Sequence, residues 1–222
     1  MGRGNVKAYP LKMADKYRNF EQLAAAEEKG RDYLIRLENR GSSLLIVAPH
    51  AGAIEPGTSE LVEAVAGEDL SFYVFEGIKP NGNRSLHITS THFDEPMALE
   101  LIEACEKAIA FHGEESAVEI VYIGGRDKKI RAFIKQSLAE AGFVTKIHDN
   151  RWLQGISPHN ICNRCRTGEG LQLEISRGLR ESLFRSLGSD GRRCPTDKFD
   201  HFVRALRAGI DSAKAFYQTG YL

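Results

Sequence analysis

Two histidines lie where two apolar segments end. His50 closely follows the apolar run Leu44–Ala48, and His112 directly follows Ala108–Phe111. Unbroken apolar runs of this length are typical of strands that are covered on both faces. In open α/β sheets, ligands bind beyond the carboxyl ends of the strands, so two histidines at such ends could reach a shared site. Each histidine could also be an ordinary turn or surface residue.

An acidic residue near the first histidine completes a possible metal set. Glu55 comes five residues after His50, and the flanking Gly52 and Gly57 allow the chain to turn tightly. The carboxylate can therefore fold back toward His50. Two imidazoles and one carboxylate are a common catalytic zinc set that leaves a fourth position for water. These residues predict one zinc ion held by His50, Glu55 and His112.

A glutamate in the middle of a predicted strand is the next candidate. In Leu171–Ser176 apolar residues alternate with polar ones, which puts Glu174 on a polar face of the strand. A carboxylate at such a position is unfavourable unless it is solvated, paired or functional. The other explanation is an edge strand with a wet face, or an ion pair with Arg177 or Arg180.

Other residues of chemical interest favour structural interpretations. His87 or His92 could replace His112 in an alternative metal set, but supporting or core positions suit them better. The CxxC segment 162–165 has no second ligand pair at zinc-finger spacing. The segment 122–127 lacks the glycine spacing of a nucleotide-binding loop, and we expect a strand-to-helix turn there.

These candidates need a scaffold of alternating strands and helices. Hydrophobic periodicity predicts strands at 32–38, 44–48, 72–75, 85–89, 108–111, 118–123, 143–147 and 171–176. Periodicity and capping residues predict helices at 19–29, 58–66, 96–107, 127–141, 178–187 and 195–217. A hairpin turn is expected at 39–41 and one long loop at 149–170. The pattern indicates an α/β protein with a central mixed sheet and helices on both faces.

Composition indicates one globular domain. The 222 residues are 42% hydrophobic and 27% charged, which supports a full core and argues against disorder. With 30 basic and 30 acidic residues the formal net charge is zero, so no global attraction to nucleic acid or an anionic membrane is encoded. No membrane span or secretory signal is visible, and we expect a cytoplasmic protein. We expect a single domain, 1–222, with a core at about 20–187 and a C-terminal helical extension at about 195–217.

Four ordered segments resemble the poly-γ-glutamate hydrolase family. They are PHAGAIEPGTSE (49–60), LHITSTHFDEP (86–96), NICNR (160–164) and GLQLEISRGLR (170–180). Members of that family are often labelled phage-related replication proteins and are distant relatives of the zinc carboxypeptidases. The resemblance spans roughly residues 20–184, which is most of the chain.

The resemblance implies a three-layer α/β fold like that of the zinc carboxypeptidases. It implies zinc on His50, Glu55 and His112, with Glu174 as the general base. The chain departs from the carboxypeptidase pattern, in which the acid follows the first histidine by three residues rather than five. Ala51 stands where the family often has glycine.

The resemblance also implies a substrate, poly-γ-glutamate or another acyl-glutamate amide. Such a polymer carries a carboxylate on every residue, and planar guanidinium groups match carboxylates bidentately. The arginines nearest in sequence are Arg164, Arg177 and Arg180, with Asn163 as a hydrogen-bonding partner. We expect the long loop to carry Arg164 over the cleft. The alternative is that each arginine lies on a solvated face or at a helix end.

Two other function classes stay open. Arg192, Arg193, Lys198, Arg204 and Arg207 form a basic C-terminal cluster, which a nucleic-acid-binding replication factor could use. A solvated helix face explains the cluster more simply, because the whole chain is neutral. The third possibility is an inactive scaffold that keeps the fold without turnover. We expect neither a membrane partner nor a nucleic-acid partner.

Overall fold

A seven-stranded mixed sheet forms the centre of the molecule, for which a computed structural model describes residues 15–218. The strands are β1 (Tyr33–Glu38), β2 (Leu44–Gly52), β3 (Ser71–Gly77), β4 (Lys107–Glu114), β5 (Val121–Gly125), β6 (Thr145–Lys146) and β7 (Leu171–Ser176). Their spatial order is β1-β3-β2-β4-β7-β5-β6. The pairs β1–β3 and β5–β7 are antiparallel, and the other pairs are parallel.

Helices cover both faces of this sheet. They are α1 (Phe20–Ala26), α2 (Thr58–Ala66), α3 (Pro96–Ala104), α4 (Lys128–Glu140), α5 (Arg177–Leu183), α6 (Ser189–Arg192) and α7 (Asp197–Gln218). The apolar sides of α2, α4, α5 and α7 are buried in one core cluster, and those of α1 and α3 in the other. The expected single three-layer α/β domain is confirmed.

Strand β2 is longer than predicted and carries the first histidine. All nine of its residues are buried. Its register with β3 shifts between Ala48 and Ala51, next to His50. Such irregularities re-aim side chains and are frequent beside active sites. Gly52 follows with a φ of 66°, and a Cβ there would lie 2.6 Å from the carbonyl oxygen of Gly77, so only glycine fits.

Two of the predicted strand features are wrong. The hairpin at 39–41 does not form, because β1 pairs with β3 rather than with β2. The segment 85–89 is not a strand; a 3₁₀ helix spans Asn83–Leu86. Leu86 and Ile88 alternate with polar residues there because both pack into the core beneath a connecting segment.

Two connections differ from prediction in extent. The strand expected at 143–147 is reduced to β6, a two-residue strand. The loop expected at 149–170 contains two 3₁₀ helices, Arg151–Leu153 and Ile161–Arg164. As predicted, the segment 122–127 turns from β5 into α4, and Asp127 caps that helix by accepting from the backbone N–H groups of Lys129 and Ile130.

The C-terminal helix belongs to the core of one face. Phe199, Phe202, Leu206 and Ile210 of α7 are buried in the same cluster as the sheet residues. Gly209 lets α7 approach α4 closely, since a Cβ there would lie 2.9 Å from Cα of Ile134. Within residues 15–218, none of the helices combines the length and the apolarity that a membrane crossing requires. The cytoplasmic location expected from the sequence stays a prediction.

Candidate metal centre and active site

The neighbouring strands β2 and β4 bring the two predicted histidines together. His50 lies near the carboxyl end of β2 and His112 near that of β4, with their ring centroids 5.0 Å apart. The turn after β2 folds back, as the backbone N–H of Glu55 donates to the carbonyl of His50 at 2.9 Å. The three side chains are buried, so little water competes for their polar atoms.

The donor atoms of this trio converge on one point. Nδ1 of His50 lies 3.1 Å from Nδ1 of His112. The two oxygens of Glu55 lie 3.5 Å from His50 Nδ1 and 3.6 Å from His112 Nδ1. Ligand atoms of a tetrahedral zinc lie roughly 3.3 Å apart, because the Zn–N and Zn–O bonds are about 2.0–2.1 Å long. The residues present therefore fit a four-coordinate metal ion with one open position.

Hydrogen bonds on the far side of each ring aim these nitrogens. His50 Nε2 lies 2.7 Å from the carbonyl oxygen of Ile88, which can accept only from a protonated nitrogen. Nδ1 is then the nitrogen that remains to bind a metal ion, as in metal-ligating histidines that donate their other N–H to a carbonyl. His112 Nε2 has Ser90 Oγ at 3.4 Å. The segment 87–90, which overlaps the strand wrongly predicted at 85–89, thus supports both rings.

His87 has a supporting position. Its ring stacks on that of His50 with centroids 3.9 Å apart. Asp15 holds His87 by a 2.7 Å contact to Nδ1 and also accepts from the backbone N–H of Thr89. These contacts restrict the orientation of the His50 ring. His92, the other alternative ligand, is exposed.

The carboxylate of Glu55 is held in its charged form. Burial disfavours the charge, but attraction to His50 and hydrogen bonding with both imidazoles outweigh burial and keep the pKa of this carboxyl well below its usual range. One oxygen also accepts from the backbone N–H of Gly113 at 2.8 Å. An ionised carboxylate is the form that binds a metal cation.

Glu174 lies beside the trio on the next strand. It is the register partner of His112 in the parallel pair β4–β7, so the two side chains share one face of the sheet about 5 Å apart at their Cα atoms. Strand β7 is buried throughout and lies between β4 and β5, so the edge-strand explanation is wrong. Gln172 donates to a Glu174 oxygen at 2.8 Å and is itself held by Asn160.

Arg180 lies behind the trio and is committed to the backbone. It is 2% exposed, and its guanidinium donates to the carbonyls of Ile175, Pro56 and Glu114 at 2.7–3.0 Å. Burial lowers the pKa of this guanidinium below its ordinary value. A Cβ at Gly113 would lie 2.7 Å from Arg180 Cζ, so this close approach requires glycine. These contacts join the segment bearing Glu55 to the ends of β4 and β7.

The other predicted substrate-binding arginines lie away from the trio. Arg177 is largely exposed and pairs with Glu181 one helical turn later at 2.8 Å. Arg164 pairs with Glu103 at 3.3 Å, just before the amino end of β4. His112 lies five residues along β4 from its first residue, about 16 Å at the rise of a strand. The expectation that the long loop carries Arg164 over the cleft is therefore not met.

Asn163 organises the loop from within. It is buried, and its amide donates to the carbonyls of Gly155 and Ser157 at 2.7 and 2.8 Å. Its oxygen accepts from the backbone N–H of Gly170 at 3.0 Å. These bonds join the two ends of the loop.

The competing metal interpretations receive no geometric support. Within the described part of the chain, His50, Glu55 and His112 are the only group of three or more His, Cys, Asp or Glu side chains close enough to share an ion. Cys162 is fully buried, and burial raises the pKa of its thiol above the ordinary value. A buried protonated thiol is a poor nucleophile and a poor ligand.

Two contacts of Glu174 were not predicted from the sequence. Gln172 holds its carboxylate, and Tyr122 is its register partner on the antiparallel strand β5. The alternation in β7 places Gln172 on the face of Glu174 and could have indicated the first contact. No local signal reveals the second, because strand order is not encoded in either segment alone.

Comparison with known proteins gives consistent matches. A family model described as poly-gamma-glutamate hydrolase matches residues 17–205. The UPF0714 protein YmaC of Bacillus subtilis (strain 168) is 38% identical over 210 residues, covering 93% of this chain and 88% of YmaC. The UPF0714 protein YndL of the same organism is 42% identical over 171 residues, covering 77% of this chain and 67% of YndL.

Two solved structures are similar over nearly the whole chain. A bacteriophage poly-gamma-glutamate hydrolase has a TM-score of 0.87 and 35% identity, covering 93% of this chain and 99% of that one. The zinc-free apo form of YndL has a TM-score of 0.82 and 38% identity, covering 94% and 100%.

Proposed function

This chain belongs to the poly-gamma-glutamate hydrolase family, and on that premise we propose that it is a zinc-dependent amide hydrolase that cleaves γ-glutamyl linkages. The family resemblance noted in the sequence is confirmed by the family match and by the structural likeness. The observation that carries the proposal is the convergence of His50, Glu55 and His112 at the separations of zinc ligands.

Zinc is the metal we propose for this site. Two imidazoles and a carboxylate form a catalytic zinc donor set with one open position. The similar YndL structure is described as zinc-free, which supports zinc as the metal of that relative. When bound, a zinc ion polarises the scissile carbonyl and lowers the pKa of a coordinated water toward about 7.

Glu174 is the group we propose as general base. It shares a sheet face with His112 one strand away, which suits proton transfer at the open position. Its carboxylate takes a proton from the attacking water and gives it to the nitrogen of the leaving amine. Gln172 donates to one carboxylate oxygen at 2.8 Å and so restricts the orientation of the carboxylate.

Arg180 has a positioning role in this proposal. Its bonds to three carbonyls keep the Glu55 segment in register with β4, so the sequence-based role in substrate binding is replaced by support of the metal centre. Arg164 and Arg177 have acidic partners elsewhere and receive no role here.

The substrate test compares linkages. The zinc-loaded protein is incubated with poly-γ-glutamate, poly-α-glutamate and a neutral peptide, and product length is followed by gel and mass spectrometry. We expect shortening of the γ-linked polymer alone. Equal cleavage of all three substrates, or of the neutral peptide only, would indicate a general peptidase and refute the γ-glutamyl assignment.

The nucleic-acid-binding alternative is disfavoured by the basic C-terminal cluster itself. Arg192 pairs with Glu60 and Arg207 with Asp69, at 2.7 and 2.8 Å. Lys198 pairs with Glu119. Cations neutralised in this way contribute little to phosphate binding. An electrophoretic shift with a steep salt dependence would reinstate the alternative.

A further inference from the structure

A line of paired side chains runs from the candidate metal centre on β4 across β7, β5 and β6. His112 on β4 is paired with Glu174 on β7, and Glu174 is paired with Tyr122 on β5. Tyr122 is paired in turn with Lys146 on β6. Paired residues of adjacent strands point to the same face, so these four side chains form one line perpendicular to the strands.

The chain leaves this line accessible. Tyr122 is half-buried and Lys146 is exposed. The loop after β6 crosses the same face of the sheet at Gly124, two residues along β5 from Tyr122. A Cβ at Gly124 would lie only 2.2 Å from the carbonyl oxygen of Gln154 in this loop. Gln172, the register partner of Gly124, donates to Leu153 O at 3.1 Å. The loop therefore forms a wall along the line.

The end of the line offers a cation to a ligand. Among residues 15–218, Lys146 makes no ion pair with an acidic side chain, in contrast to Arg164, Arg166 and Arg177. Its Cα lies two strands from Glu174, about 10 Å away, and its side chain can reach back by several ångströms. That span corresponds to about one or two residues of an extended polymer.

The middle of the line offers an apolar surface. The Tyr122 ring packs on His148 with centroids 4.4 Å apart, which fixes the ring between Glu174 and Lys146. An aromatic side chain suits methylene groups, and a lysine suits a carboxylate. A glutamate polymer presents both groups in each residue.

We propose that Tyr122 and Lys146 form a binding track for a polycarboxylate chain on one side of the cleaved bond, with Lys146 binding a carboxylate one or two residues away. This inference rests on the proposed function for its substrate. It assigns the recognition of charge to β6 rather than to the arginines that follow Asn160 in the sequence.

The test measures binding separately from turnover. Affinity for poly-γ-glutamate is determined by calorimetry in a Glu174→Gln background, with Lys146 changed to Arg, Met or Glu. We expect Arg to weaken binding least and Glu to weaken it by about tenfold or more, because the pairing of charges is reversed. The Lys146→Glu variant should also show a shallower salt dependence.

A matched control is Lys135→Glu. Lys135 is exposed on α4, the helix that packs on the opposite face of the sheet through Ile134 and Leu138. The same change of charge there should leave the affinity within twofold. Equal weakening by both variants would indicate a general charge effect and overturn the track.

Hydrolysis of poly-γ-glutamate is measured separately with the protein that carries no substitution, because the binding measurements use the Glu174→Gln background. If that protein cleaves the polymer while Lys146→Glu binds within twofold of its parent, the track is overturned and the proposed function stands. If it cleaves no γ-glutamyl substrate while Lys146→Glu still loses binding, the proposed function fails and the track stands. Absence of any polymer binding by the parent protein overturns the track.

Discussion

Both ends of the central strands bury charged side chains, but they use them differently. At the amino end, Asp127 is 1% exposed and accepts from Lys107, from the hydroxyl of Tyr217 and from two backbone N–H groups. At the carboxyl end, His50, Glu55 and His112 direct two imidazole nitrogens and a carboxylate at one another. The first cluster is complete within the chain, whereas the second brings three metal-binding side chains together at separations that suit a cation.

The comparison shows that burial of charge does not by itself indicate function. Asp127 is as deeply buried as any residue of the trio, yet its partners are donors that the chain supplies. A functional cluster is recognised by metal-ligating side chains whose ligand atoms converge on one point. From this contrast we expect substitutions at the amino end to affect stability and substitutions at the carboxyl end to affect metal binding and hydrolysis.

The largest expected effect is from removing a metal ligand. His112→Ala should abolish zinc binding. Hydrolysis should then fall by more than about 10²–10⁴-fold, which is the loss expected when only the general base is removed. Zinc per chain is measured by elemental analysis, and folding is compared with that of the metal-free parent. Full zinc occupancy in this variant would refute the ligand assignment and make His87 or His92 the next candidate.

Asp127→Asn is the matched variant at the amino end. Breaking a buried ion pair typically costs about 3–5 kcal/mol of the free energy of unfolding. We expect such a loss in urea unfolding, with one zinc per chain retained. Loss of zinc from the folded Asp127 variant would remove the distinction between the two ends.

Glu174→Gln should come next in effect. The amide has the same shape and keeps an oxygen for the Gln172 hydrogen bond, but it cannot take a proton. We expect kcat to fall by about 10²–10⁴-fold while zinc stays bound. Turnover close to that of the parent protein would exclude Glu174 from the mechanism.

A smaller effect is expected from Arg180→Lys. One ammonium group cannot donate to three carbonyls in the geometry of a guanidinium fork, and each buried carbonyl left without a donor costs about 1–3 kcal/mol. Outer contacts of metal ligands typically affect affinity by about 10–100-fold. We expect a lower free energy of unfolding and weaker zinc binding, measured by unfolding and by competition with a chelator.

Arg177→Lys supplies the control for Arg180. Arg177 forms an exposed pair with Glu181, so its conservative replacement should change stability by less than about 0.5 kcal/mol. If Arg180→Lys instead raises KM for substrate with zinc affinity and stability intact, the substrate-binding role predicted from the sequence is correct.

Apart from the Arg177 control, the smallest expected effect is from Tyr217→Phe, and it depends on pH. The variant loses a hydrogen bond to Asp127, worth about 1 kcal/mol near neutral pH. Burial and the bond to Asp127 raise the pKa of the Tyr217 hydroxyl above its ordinary value of 10.0. Because the pKa is higher in the folded state than in the unfolded state, the protonated hydroxyl contributes its whole stabilising free energy below pH 10. This contribution is lost as the pH rises further. The difference in the free energy of unfolding between the parent and the variant, measured in urea, should therefore become smaller above pH 10. A difference that stays the same at every pH would contradict this prediction.

From the sequence alone we predicted the three residues that the fold brings together and the glutamate beside them, and their catalytic roles stay predictions. Each of these residues follows or interrupts a predicted strand, and such a strand can be recognised from the apolar pattern of a short segment. The family resemblance then implies which of them would bind the metal and which would act as the base. Most strands and helices were predicted for the same reason, since burial on one or both faces leaves a period in the chain. The errors at 39–41 and 85–89 arose because a turn-forming triplet and an alternating segment fit more than one arrangement.

The tertiary structure decided where the charged groups around the trio lie. Arg164 and Arg180 lie sixteen residues apart in sequence, but Arg164 pairs with Glu103 near the amino end of β4, whereas Arg180 donates to backbone carbonyls behind the trio. Tyr122 and Lys146 join Glu174 only through the order β7-β5-β6. Local sequence determines which face of a strand a side chain occupies, and the pairing of strands, which buries area shared by distant segments, determines which side chains meet there.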